Sequence, residues 1–220
     1  CTQVTVYDLV DPQDLKALLM VYVMDAETGS PPQDWGEYDP VFDNRLNAEV
    51  EDAQTVFVKP GQRFKLLSGE SLADIRLVLT NSSLGDEAGA GFVAPGGKAE
   101  GRAAEALDGV FSDLPLNVAR DFAAINASRL AKFKKYRIIG KSVADLHAQT
   151  EGAIKAAEAA QARKDWPEAE RQARAAWGYA LRAHPVIKQT TNDVVNGVVF
   201  YLFLLVPFSY FLERLMVGNQ

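Results

Sequence analysis

Apolar residues recur along this chain in three different patterns, and each pattern predicts a different kind of element. From residue 1 to about 84 the apolar runs are short: TQVTVYDLV, ALLMVYVMDA, TVFVKPGQRFKLL and DIRLVLTN. Turn residues separate them, at Asp11-Pro12, at Glu27 to Pro32, at Lys59-Pro60-Gly61 and at Ser68-Gly69. Thr55-Val56-Phe57-Val58 reads as a strand, and Pro60-Gly61 turns the chain into Arg63-Phe64-Lys65-Leu66. This vocabulary predicts a small antiparallel β-sandwich. Within it, Leu15, Leu18 and Leu19 also fit helical spacing, so DPQDLKALLMV admits a helix start instead.

From residue 110 to 190 the period changes to that of a helix. Pro115 is placed to open a helix running to about Tyr136, with Val118, Phe122, Ile125 and Leu130 on one face. Gly140 breaks it. Ser142, with Asp145 three residues on, is expected to cap a second helix through LHAQTEGAIKAAEAAQAR. Asp165-Trp166-Pro167 then makes a tight connection. A third helix starts at Pro167 and is expected to end near His184-Pro185, with Ala169, Ala173, Ala176, Trp177, Ala180 and Leu181 as its packing stripe. Residues 85–109 between the two regions are rich in Gly and Ala, with little to bury, and read as a linker or mobile loop.

The third pattern has no alternation at all. Val194 to Leu212, VVNGVVFYLFLLVPFSYFL, contains no charged residue. At the rise of a helix it spans about 28 Å, close to the hydrocarbon thickness of a bilayer. A transmembrane helix is therefore expected over 191–217, followed by a tail at 218–220; the competing expectation is a buried core helix. Val194 opens the run and Pro207 is expected to kink it. Phe200, Phe203, Phe208 and Phe211 offer large faces to lipid, pigment or neighbouring helices. Its polar groups are Asn196, Ser209 and the hydroxyls of Tyr201 and Tyr210. The run lacks the central charge that ion or proton transport requires, so docking is the expected role. The expected class is α+β: strands in 1–84, a linker at 85–109, helices in 110–190, and one C-terminal span.

Composition changes this picture in two places. About 190 residues remain outside the span, enough to bury a core. The net charge of −6 argues against general nucleic-acid binding, which needs a broad positive surface. One segment departs from that acidic background. Arg129, Lys132, Lys134, Lys135, Arg137 and Lys141 occur with no acid between Phe122 and Ala144. Anionic lipid headgroups or an acidic partner subunit suit such a cluster, and so does plain solvation of a helix face.

The single cysteine is Cys1, which excludes an intramolecular disulfide. A first-position cysteine resembles the acylated residue of a processed bacterial lipoprotein, where the signal peptide is removed just before it. That resemblance implies lipid on Cys1 and a body on the outer face of the bacterial cytoplasmic membrane. Arg182 and Lys188 before the span, against Arg214 after it, favour a cytoplasmic body instead, as in a tail-anchored protein. The strand–KPGQ–strand hairpin behind Cys1 is similar to the outer-membrane lipoprotein family of type VI secretion, with its transthyretin-like sandwich. AIKAAEAAQARKDWPEAERQARAAWGYALRAHP resembles one tetratricopeptide-type helical hairpin, carried by Asp165, Trp166, Ala169, Ala180, Leu181 and Pro185. This second resemblance implies hairpin geometry and a protein-contact role.

Candidate chemistry is sparse. His147 and His184 fall on different predicted helices and read as surface or capping residues. No G-x-S-x-G elbow is present. Gly96-Gly97-Lys98-Ala99 lacks the Ser or Thr and the upstream glycine of a phosphate loop. Asp34, Glu37, Asp39 and Asp43 do not match a calcium loop, and Trp35 and Tyr38 beside them suit a protein contact. No cofactor, metal, nucleic acid or small-molecule substrate is expected. The expected function is that of a non-catalytic accessory subunit of a bacterial membrane complex, with other membrane subunits and the bilayer as partners. A membrane-tethered periplasmic enzyme, or an adaptor or ligand-binding lipoprotein for secretion or transport, is the alternative.

Overall fold

The structure, a computed structural model, describes residues 2–16, 18, 21–32, 36–38, 54–71, 74–82, 89–96, 110–111, 113–135 and 140–217. Among them the strands are β1 (Thr2–Val6), β2 (Val21–Asp25), β3 (Gly36–Tyr38), β4 (Gln54–Val58), β5 (Arg63–Ser71), β6 (Asp74–Leu79), β7 (Phe92–Val93) and β8 (Val110–Phe111). The helices are α1 (Leu114–Lys135), α2 (Lys141–Ala162) and α3 (Trp166–Val217). The chain divides into two units, Cys1–His184 and Pro185–Gln220.

Two sheets form the strand region. One has the order β3-β4-β1-β8, the other β2-β5-β6, with β7 also paired to β5. The pairs are antiparallel except β1 with β8, which is parallel. Alternation sets the buried faces: Val56 and Val58 of β4 are buried, while Phe57 between them is half-exposed. On β1 and β4, Thr5 lies opposite Thr55, and their hydroxyls are 3.1 Å apart. Val4, Val6, Val56 and Val58 from the first sheet join Val21, Val23, Phe64, Leu66, Leu77 and Leu79 from the second in one apolar cluster. Full burial of each such side chain contributes roughly 1.5–3 kcal/mol.

Lys59-Pro60-Gly61-Gln62 is a turn, but it does not close a hairpin. Gln62 N–H donates to the Lys59 carbonyl at 3.0 Å and Gly61 sits at φ +76°, yet β4 and β5 belong to different sheets. The reason lies on the two edges of β5. Near the turn, Phe64 pairs with Asp25 of β2 on one side and with Phe92 of β7 on the other. With both edges occupied, the turn becomes a corner between sheets.

β7 also corrects the reading of 85–109 as a linker with little to bury. Phe92, Val93 and Ala94 are buried. Gly91, at φ +75°, brings the strand in so closely that a Cβ there would lie 2.6 Å from the Ala26 Cβ. Residues 85–88 and 97–109 of that segment lie outside the described residues. Of the alternative helix at DPQDLKALLMV, residues 12–14 form a turn, and residues 17, 19 and 20 lie outside the described residues. Asp11 explains the turn: its carboxylate accepts Gln13 N–H at 2.7 Å and its carbonyl accepts Leu15 N–H at 2.9 Å. Leu15 is left at φ +58° and largely exposed.

α1 is the central helix of the body. It packs on both α2 and β6, and its Val118, Ala119, Phe122 and Ile125 extend the strand cluster to Trp177 of α3. Leu116 forms a second cluster with Ala157 of α2 and Ala173 of α3. Trp177 is fully buried and donates its indole N–H to the Arg76 carbonyl at 3.0 Å. The expected cap at Ser142 is not formed. Gly140 holds the N-cap position without a side-chain bond, and Ser142 lies exposed inside α2. Asp165 does cap α3, accepting Glu168 N–H at 3.4 Å after Lys164 turns the chain at φ +60°. α3 does not end at His184-Pro185 but runs through Pro185 and Pro207 to Val217. Proline removes one amide donor without forbidding a helical φ, and no further Gly or Pro occurs from Val186 to Asn196.

Candidate functional site: an exposed apolar helix and two polar junctions

The C-terminal part of α3 is the molecule's most unusual surface. Phe200, Phe203, Phe208 and Phe211 are exposed at 59%, 78%, 64% and 64%, and Pro207 lies inside the same helix. Val195, Leu204, Leu205 and Val206 are exposed with them. One helix is therefore long and apolar enough to cross a membrane, and none of its most apolar window is buried. Soluble monomers rarely carry a contiguous apolar surface beyond a few hundred Å². Near its end Arg214 donates to the Tyr210 hydroxyl at 3.2 Å. Val194 is helical, with its side chain outside the described residues.

The basic cluster is divided by the structure. Lys132, Lys134 and Lys135 occupy the last turn of α1 and are exposed, whereas Arg129 is half-buried. Lys141 is exposed at the start of α2. Cys1, Arg137, the acidic stretch Asp34, Asp39 and Asp43, and Trp35 lie outside the described residues, as do the side chains of Glu37 and Tyr38.

The first polar junction centres on Asp121, which sequence reading passed over. It is fully buried on α1 and accepts three backbone N–H groups from the segment after β6. Thr80 and Asn81 donate to Oδ2 at 2.8 and 3.0 Å, and Ser82 donates to Oδ1 at 3.0 Å. Asn81, at φ +50°, turns these amides to one side. Such concave runs of N–H groups hold anions elsewhere; here the chain's own carboxylate fills the concavity. The signal was available: Asp121 shares the apolar face marked by Val118, Phe122 and Ile125.

A second junction joins the end of β1 to α3. Arg174 donates to the Asp8 carboxylate, and its Nε lies 2.6 Å from Glu170 Oε1. Burial pushes the Glu170 carboxyl above its ordinary value; Arg174 pulls it down, and the charge of Asp8 adds to the rise. Glu170 lines a groove of about 170 Å³ with Asp113, Leu116 and Trp166. A larger groove of about 380 Å³ runs between α1 and α2 past Ala123, Ala124 and Ile154. Arg120 on its rim is held 2.7 Å from Glu158.

The histidines are more engaged than surface residues. His184 Nδ1 lies 3.2 Å from Asn126 Oδ1, and its ring meets Phe122 edge-on at 5.1 Å. His147 lies 3.4 Å from Glu151, one helical turn on. Burial lowers the His147 pKa below its ordinary 6.5, with Glu151 opposing the shift. The folded protein then binds this proton less tightly than the unfolded chain. The contribution is present above 6.5 and is lost as pH falls through the lowered value. His147→Gln is expected to flatten the fall in Tm between about pH 7 and pH 5. Melting curves in the two buffers check this, and an unchanged slope contradicts it.

Among the described residues, no group of three or more His, Cys, Asp or Glu side chains comes together to hold a metal ion. No protein-family model matches this chain, and no curated protein and no solved structure matches it.

Proposed function

We propose that this protein is a single-pass membrane protein acting as an accessory subunit of a larger membrane complex, with the apolar part of α3 as both anchor and docking element. The observation that carries the reading is the row of exposed Phe, Leu and Val side chains from Val195 to Leu212. Water penalises that surface, and a bilayer or partner helices remove the penalty. Large exposed rings beside small Gly197 and Ser209 suit packing against other helices better than a uniform leucine run does.

The body supplies the second half of the proposal. Its two sheets, joined by the corner at Pro60-Gly61 and sharing one apolar cluster, support a small sandwich closed by α1. Strong internal ties such as Asp121 with residues 80–82 favour a rigid contact module. The expected outer-face placement follows the lipoprotein resemblance and belongs to the same proposal.

Two experiments address these points. Native membranes extracted in mild detergent are expected to yield the chain within a complex of several subunits. Protease added outside intact cytoplasmic-membrane vesicles of native orientation is expected to remove the body. A monodisperse monomer after gentle extraction overturns the subunit role, and a protected body reverses the orientation.

A further inference from the structure

Beyond the span itself, one surface of the body carries an assignable partner. α1 and the first part of α3 run in the same direction. Leu116, early in α1, clusters with Ala173, early in α3, whereas Phe122 and Asn126 further along α1 meet His184. The body unit ends at His184. Past Asn126, α1 continues to Lys135, which is about 14 Å further along at a helical rise. The end of the body that releases the chain towards the span is therefore the end to which α1 carries Lys132, Lys134 and Lys135.

Chain length then limits how far that end lies from a bilayer. Ten residue steps separate His184 from Val194, where the uncharged run starts. They cover about 15 Å as a helix and at most about 35 Å fully extended. A run that crosses a membrane thus keeps the His184 end of the body within that distance of the headgroups. The stretch of chain at this end carries a basic excess, with Asp145 the first acid after it. No Asp or Glu occurs between Phe122 and Ala144, in a chain whose net charge is −6. Phe133 is buried, whereas Lys132, Lys134 and Lys135 are exposed around it. A helix C-terminus attracts a basic residue or two through its own dipole, but the excess here continues past the helix to Arg137 and Lys141.

We infer that the C-terminal end of α1, with Lys132, Lys134 and Lys135 at its centre, binds the headgroups of anionic phospholipids. This rests on the membrane reading above and adds a preference for lipid charge to it. Attraction of basic side chains to an anionic surface acts over about a Debye length and is lost at high salt.

The test uses the full chain reconstituted in nanodiscs of zwitterionic lipid, or of the same lipid with about 30% phosphatidylglycerol. Acylation of individual lysines is followed by mass spectrometry. Labelling of Lys132, Lys134 and Lys135 is expected to slow about threefold or more in the anionic discs and to recover in about 0.5 M salt. Exposed Lys59 and Lys164 serve as internal standards and are expected to keep their rates. Equal rates for the three α1 lysines in both lipids, with the chain incorporated, overturn the inference and leave the anchor standing. Failure of the chain to enter the discs overturns anchor and inference together.

Discussion

Asp121→Ala is expected to lower the stability of the body by about 3–5 kcal/mol, among the largest effects of any single replacement in it. The carboxylate is fully buried and accepts the N–H groups of Thr80, Asn81 and Ser82. Alanine removes the acceptor and leaves three donors facing a cavity. A donor stranded without a partner costs about 1–3 kcal/mol. The segment has little room to relax. Gly91 N–H is bonded to the Thr80 carbonyl at 2.9 Å, and a Cβ on Gly89 would lie only 2.2 Å from that same oxygen. Asp121→Asn keeps the volume but turns an NH2 group towards at least one amide, so it is expected to recover only a small part of the loss. Denaturant titrations in detergent, followed by circular dichroism, measure both variants. Asp145→Ala, at an exposed site on α2, is the reference and is expected to fall within about 0.5 kcal/mol of the parent. A stability loss for Asp121→Ala no larger than that reference contradicts the role given to the three amides.

The double replacement Leu204→Arg with Leu205→Arg is expected to abolish stable membrane integration. Each arginine near the middle of a spanning helix costs about 2.5–3.5 kcal/mol to insert, so the pair costs roughly 5–7 kcal/mol. Both leucines are exposed, so the body has no packing to lose from the change. Alkaline extraction of membranes separates integral from peripheral protein. The parent is expected in the pellet and the double variant in the supernatant, with the body's circular dichroism unchanged. Both chains carry Cys1→Ser, so that no acyl chain holds the body to the membrane, and a double variant that stays in the pellet then contradicts the span.

The two variants probe features that differ in how legible they are from sequence. The run from Val194 to Leu212 is local: composition and length alone decide that it is long and apolar enough to cross a membrane. The same holds for β1, β2, β4, β5 and β6, whose runs of Val, Leu and Phe between turn residues mark strands, and for α1 behind Pro115. Asp121 is different. Its position on the apolar face was visible, but its partners lie 39 to 41 positions earlier in the chain. Only the docking of α1 on β6 brings those amides under it. The candidate site divides in the same way. The basic residues were legible as a cluster, while the shared direction of α1 and α3 that carries Lys132, Lys134 and Lys135 to the His184 end was not.

Local patterning alone thus carried the longer strands, the starts of the helices, the uncharged run of α3 and the one-signed stretch of sequence after Phe122, because each depends on residues within a few turns of one another. Which elements meet was settled by packing across the fold. The KPGQ turn became a corner because β2 and β7 occupy both edges of β5, and neither occupant is adjacent to it in sequence. Phe92 and Val93 entered the core because Gly91 permits a close approach. α3 ran on past Pro185, where a local stop was expected. Edge competition, close approach and buried donors waiting for an acceptor are properties of the assembled chain, and local patterning does not encode them.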